Sequence, residues 1–243
     1  METSWDDESL TALRVALSTR AGAVVDLVRG RLTDEVLQLV GDALIAAIDD
    51  HVDGAHQVAA ECAAALRVRD WTGDDDLADQ LEAAVGMSAT PMLRPVAVDL
   101  EELSSLLEGD PAYGGGRIDL RTGDTWPTMI FDDVVDDEAD DEADDEADDD
   151  PDRWLYVPCA GSRAGYRDME LFIESVADPA VADRLDIAIC GRGAFRRFKD
   201  VLSRWPDEVH RYWLFADERR RGRARGWLAD QGYRVRGPRG LVP

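Results

Sequence analysis

Gly191-Arg192-Gly193 stands immediately before an apolar stripe of helical period, with Arg196 and Arg197 in the first turn that follows. Free backbone N–H groups and the positive end of a helix dipole attract anions, so this spacing suits a phosphate or carboxylate cradle. Lys199 and Arg204 extend the charge, and Arg192, Arg196, Arg197, Lys199 and Arg204 together form the candidate anion-binding or partner-binding surface. A second cluster, Arg219, Arg220, Arg221, Arg223 and Arg225, falls where a terminal helix is expected, and clustered arginine meets the electrostatic requirement for nucleic acid. The bland alternative for Gly191 to Gly193 is a tight helix-to-helix joint whose arginines pair with Asp186 and Asp200. The element before it reads as helix rather than strand and no Gly-Lys-Ser/Thr follows, so neither a dinucleotide fingerprint nor a Walker loop fits.

Catalytic and metal-binding patterns are weaker still. His51 and His56 are five apart, poor spacing for two ligands on one helical face, and His210 is isolated. There is no His-Glu-x-x-His and no Gly-x-Ser-x-Gly. Asp119 and Asp124 flank an expected hairpin turn, where aspartate is favoured structurally, and Gly114-Gly115-Gly116 suits a flexible loop. Cys62, Cys159 and Cys190 are far apart and form no Cys-x-x-Cys pair, so neither a disulfide framework nor a zinc site is expected. No catalytic residue, metal or cofactor is assigned, and catalysis ranks below the binding readings.

Charge divides the chain. Fifteen carboxylates fall between Asp132 and Asp152, most of them in a threefold Asp-Asp-Glu-Ala repeat beginning at Asp136. Residues 1–152 hold 40 acids against 9 bases, whereas residues 153–243 hold 12 against 18, within a net charge of −25. Like charges at neighbouring positions with almost nothing apolar to bury predict a disordered loop over 132–152, inside a domain rather than between two. Such a loop has three readings: a solubilising segment, a clamp on the basic surface in cis, or a mimic of nucleic acid. Of the 27 basic residues only Lys199 is lysine, a bias that a high-GC bacterial genome produces without functional cause, so arginine abundance is weak support for nucleic-acid binding. No run approaches the ~18 to 20 apolar residues of a membrane helix, and Met1 to Glu8 has the wrong charge for a signal peptide. The expectation is a cytoplasmic protein with no membrane contact.

The elements that must position these residues read as α+β. Residues 1–90 form a helical N-terminal domain. Thr33 is expected as an N-cap ahead of Val36, Leu37, Val40, Ala43, Leu44, Ala47 and Ile48, with Gly54 closing that helix. A second helix from Ala55 to Val68 and a third from Asp74 to Gly86 follow, and residues 91–95 make a linker. Over 96–236 the pattern predicts a small antiparallel sheet with helices. Val96 to Val98 reads as a strand, Asp99 with Glu102 as a capping-box-like helix start, Gly116 to Leu120 and Thr125 to Phe131 as a hairpin with Pro127 at an edge, and Trp154 to Val157 as a further strand. Helices capped at Ser162, opened by Asp178-Pro179 and running from Ala194 to Trp205 come next. Tyr212 to Phe215 is expected as a strand, Asp217 to Gln231 as the last helix, with Arg220 or Arg221 in a partly buried ion pair and the other arginines solvated, and residues 237–243 as a tail.

Gly191-Arg192-Gly193-Ala194-Phe195-Arg196-Arg197-Phe198-Lys199-Asp200-Val201-Leu202 resembles the bacterial uncharacterised protein family 0158. The order of Val98 to Leu103, Ile118 to Asp124, Arg163 to Glu170 and Trp227-Leu228 strengthens the likeness, which covers Val96 to Val235. The resemblance implies no activity and no catalytic residues. Function is therefore expected to be non-enzymatic interaction with another protein; the alternative is nucleic-acid or phosphate binding at Arg192 to Arg204, held in check by the acidic loop.

Overall fold

Small side chains decide how the N-terminal helices meet. The computed structural model describes residues 5–19, 21–110, 114–128 and 150–236; the expected acidic loop up to residue 149 and the tail 237–243 lie outside the described residues. Five helices come first: α1 (Asp7–Thr19), α2 (Ala21–Val28), α3 (Leu37–Asp49), α4 (Ala55–Arg69) and α5 (Asp74–Ala84). Helix α4 buries Ala55, Val58, Ala59, Cys62, Ala63 and Leu66, the face expected from their spacing. Alanine on that stripe lets backbones approach closely while still removing apolar surface from water. Gly54 does not close α3, which ends at Asp49; it sits at the N-cap of α4. Nor is Thr33 an N-cap, because α3 begins at Leu37 behind Val36, which offers no capping side chain.

The remaining elements are β1 (Arg94–Val96), α6 (Leu100–Leu107), β2 (Gly116–Asp119), β3 (Thr125–Pro127), β4 (Trp154–Val157), α7 (Arg163–Glu174), α8 (Pro179–Ile189), α9 (Ala194–Leu202), α10 (Pro206–Asp230) and β5 (Tyr233–Val235). An antiparallel sheet of order β3-β2-β4 pairs Ile118 with Thr125 and with Leu155. Pro127 lies on its edge strand, where the missing N–H costs no ladder bond. Strand β1 starts two residues earlier than expected and pairs in parallel with β5, a strand the sequence pattern did not suggest. Asp99 caps α6 by accepting from the N–H groups of Glu101 and Glu102. Glu102 does not complete a reciprocal box; its carboxylate accepts from the Thr125 hydroxyl instead. The fold is α+β, with a helical N-terminal part and a small antiparallel sheet accompanied by helices.

Tyr212 to Phe215 is not a strand. Pro206 takes the first position of α10, where its fixed φ and missing N–H are tolerated, and the helix runs unbroken for 25 residues through both segments read separately. The strand expectation rests on four consecutive apolar residues, and the helix carries such a run because it is buried on more than one side, with Tyr212, Leu214, Ala216 and Glu218 all buried. Helix α10 is packed on opposite sides: Tyr212 and Ala216 enter the core of α7 to α9, while Leu214 enters the core of the N-terminal helices. Further along, Ala224 and Leu228 join a third core with α6, β2 and β4. Phe172, Phe198 and Tyr212 form an edge-to-face cluster with centroids 4.8 to 6.4 Å apart. Such pairs contribute about 0.5–1.5 kcal/mol each beyond area burial.

Candidate partner-binding groove

Arg219, Arg221, Arg223 and Arg225 of α10 are turned inward. Arg225 is 1% exposed, donates to Gln38 and forks onto Asp42 at 2.9 and 3.1 Å. Arg219 reaches Asp168 at 2.5 Å, and Arg223 joins Asp168 at 2.8 Å to Glu108 at 2.6 Å. Burial works against the charge on Arg223, but Glu108 and Asp168 outweigh it and hold its pKa above the ordinary value. Arg221 makes the partly buried ion pair expected of it, with Asp217 at 3.0 Å and Glu101 at 3.3 Å. The other arginines were expected to be solvated, and Arg219, Arg223 and Arg225 are not. A helix flanked by three cores has too little open surface for them, and their guanidinium forks find carboxylates on α3, α6 and α7.

The surface around Gly191 to Gly193 divides in the same way. Gly193 occupies the N-cap of α9 at φ 76°, a left-handed value that a side chain resists. Arg197 folds back over this joint and donates to the carbonyls of Ala188 at 3.0 Å, Cys190 at 2.6 Å and Gly191 at 3.2 Å, and also to that of Arg192. Its guanidinium therefore satisfies the last carbonyls of α8 and is not directed at an external anion. Arg192 and Arg204 are exposed, and Arg196 is 90% exposed with Asp200 at 3.8 Å, the pairing expected within the joint. Lys199 leaves this group and places its ammonium 5.1 Å from the centre of the Trp213 ring.

Trp213 marks the groove. It is 44% exposed on α10, between two depressions of about 520 and 350 Å³ that share it and Arg220. The first shares Arg14, Glu101 and Arg221 with a larger cleft of about 700 Å³. Three adjoining depressions, lined from α1, α3, α6 and α7 as well as α10, thus make up the groove. Both signs line it: Arg14, Arg121, Arg220 and Lys199 among the cations, and Asp42, Glu101, Glu108 and Asp217 among the carboxylates. Burial and the Asp168 carboxylate push the Tyr212 phenol up to about 12, so this wall residue stays neutral.

Residues weighed for catalysis scatter. His210 lines the groove with Nε2 2.8 Å from the Trp5 carbonyl, and His51 rests against the Ile48 carbonyl. Asp119 accepts from the N–H groups of Arg121 and Thr122 and pairs with Arg153 at 3.0 Å, which fixes the hairpin turn. Among the described residues no group of three His, Cys, Asp or Glu is placed to hold a metal ion. Sequence reasoning passed over Trp213, which its strand-like neighbours disguised, and Arg14 and Arg121, which lie far off in sequence; an aromatic inside an arginine-rich helix was the available signal.

Among the described residues no helix is long and apolar enough to cross a membrane. Comparison with curated proteins and with solved structures gives no match. Residues 124–237, which hold β3, β4, α7 to α10 and β5 and leave out the N-terminal helices, β1, α6 and β2, match the Uncharacterised protein family (UPF0158).

Proposed function

We propose that the protein is a non-enzymatic cytoplasmic interaction module that binds a segment of another protein in the groove along α10. One observation carries this reading: a half-exposed tryptophan, Trp213, shared by two depressions that are lined by both cations and carboxylates. Aromatic anchors in partly desolvated pockets dominate protein interfaces, and a polar rim of both signs sets register and partner choice. The nucleic-acid alternative is favoured only by the exposure of Arg192, Arg196 and Arg204, since Arg197, Arg219, Arg223 and Arg225 are occupied within the fold.

The test is a pull-down from native lysate, with and without nuclease, using the wild type and Trp213→Ala. A protein retained after nuclease by the wild type and lost by the variant supports the reading. Recovery of bulk RNA alone overturns it.

A further inference from the structure

We infer that the narrow end of the groove, where Lys199, Trp213 and Arg220 meet, receives a carboxylate side chain next to an apolar residue, so the bound segment is acidic. This rests on the protein-partner reading above and adds the chemistry of the partner.

Asp168 and Glu108 line this end of the groove, but Arg219 holds Asp168 at 2.5 Å and Arg223 holds both at 2.8 and 2.6 Å, from the side facing the core. Asp217, which faces the neighbouring depression, is paired with Arg221 at 3.0 Å. Asp168 and Glu108 are thus compensated by Arg219 and Arg223, which are themselves only about one-fifth exposed, whereas Asp217 and the exposed Glu101 share Arg221.

The two cations at this end are differently placed. Lys199 stands over the Trp213 ring and has no carboxylate partner among the described residues. Arg220 donates to the Ala216 carbonyl and comes only to 4.0 Å from Asp217, with its side chain 40% exposed. Phe195 and Trp213 supply apolar walls to the same depression. An exposed lysine and a half-exposed arginine beside an exposed aromatic ring fit a carboxylate whose neighbour packs against the indole.

A nucleic acid would present the same pairing of anion and flat ring, but it brings a phosphate at every nucleotide. Beside Arg220, successive phosphates would meet Glu101, which is 73% exposed, whereas a peptide can place its acids only where the cations are.

The test uses the full chain and fluorescence anisotropy. The probes are a short labelled glutamate-rich peptide with one central leucine, its lysine-for-glutamate counterpart, and a labelled oligothymidine. The wild type should prefer the acidic peptide over the basic one by about fivefold, as expected for two exposed ion pairs, and the preference should shrink as salt is raised. K199E/R220E should reverse the preference and K199Q/R220Q should erase it, both with unchanged melting temperature. Equal binding of the two peptides, weakened alike by Trp213→Ala, overturns the acidic preference and leaves the protein-partner reading standing. Binding of neither peptide overturns the inference, and binding of oligothymidine in their place overturns both readings.

Discussion

The Glu218 carboxylate of α10 lies 2.8 Å from the Arg69 guanidinium of α4, with both side chains 2% exposed, and it also accepts from the N–H groups of Gln38 and Leu39 at 2.7 and 2.8 Å. Helix α3, which lacks a capping residue of its own, is therefore capped by a residue 180 positions away. Glu218→Ala leaves Arg69 and two backbone donors buried without this acceptor, and should destabilise by about 3–5 kcal/mol. Glu218→Gln keeps one acceptor and should recover part of that loss. Denaturant unfolding of the two variants measures both.

Gly222 of α10 and Gly73 press against one another's chains. A Cβ at Gly222 would lie 2.2 Å from the Thr72 carbonyl oxygen. Alanine normally favours a helix interior over glycine by about 1 kcal/mol, but here backbone must move to admit it. Gly222→Ala should therefore destabilise by about 1–3 kcal/mol, read from thermal or denaturant unfolding.

Asp119 gives the stability a pH dependence of known sign. Burial disfavours its charge, but the N–H groups of Arg121 and Thr122 and the Arg153 guanidinium outweigh that and hold its pKa below the ordinary 3.8. Its contribution is present above that ordinary value and lost as pH falls through the lowered folded-state value. Melting temperatures taken from about pH 6 to pH 2.5 should fall less steeply at the acid end in Asp119→Asn than in the wild type.

Thiol labelling separates the three cysteines. Cys62 is fully buried, and burial pushes its thiol well above the ordinary range, whereas Cys190 is exposed. Iodoacetamide on the native protein should label Cys190 first and Cys62 only after unfolding, as mapped by peptide mass spectrometry.

Legibility in the sequence followed the range of the forces. The Asp99 cap, the Asp178-Pro179 helix start, the hairpin around Asp119 and the small-residue face of α4 depend on neighbours a few positions apart, and each was readable. Thr33 was misread because the cap of α3 comes from Glu218. Tyr212 to Phe215 reads as a strand from four consecutive apolar residues, a run that α10 carries because it packs into cores on two sides. The candidate site was legible only at Lys199. Arg197 has the residue type and spacing of an anion ligand, yet the carbonyls of α8 take its donors, and nothing in the local pattern distinguishes those uses. Trp213 and Arg220 share a face of α10, seven residues apart, but Arg14 joins them only through the tertiary fold.

The most direct measurement is site-specific photo-crosslinking in cells. A benzophenone amino acid would replace Trp213 in the groove and, separately, Tyr156, which is 66% exposed on β4 away from it. The account predicts a discrete protein adduct, resistant to nuclease, from position 213 and none from position 156. An adduct at both positions, no adduct at 213, or one that nuclease removes would contradict it.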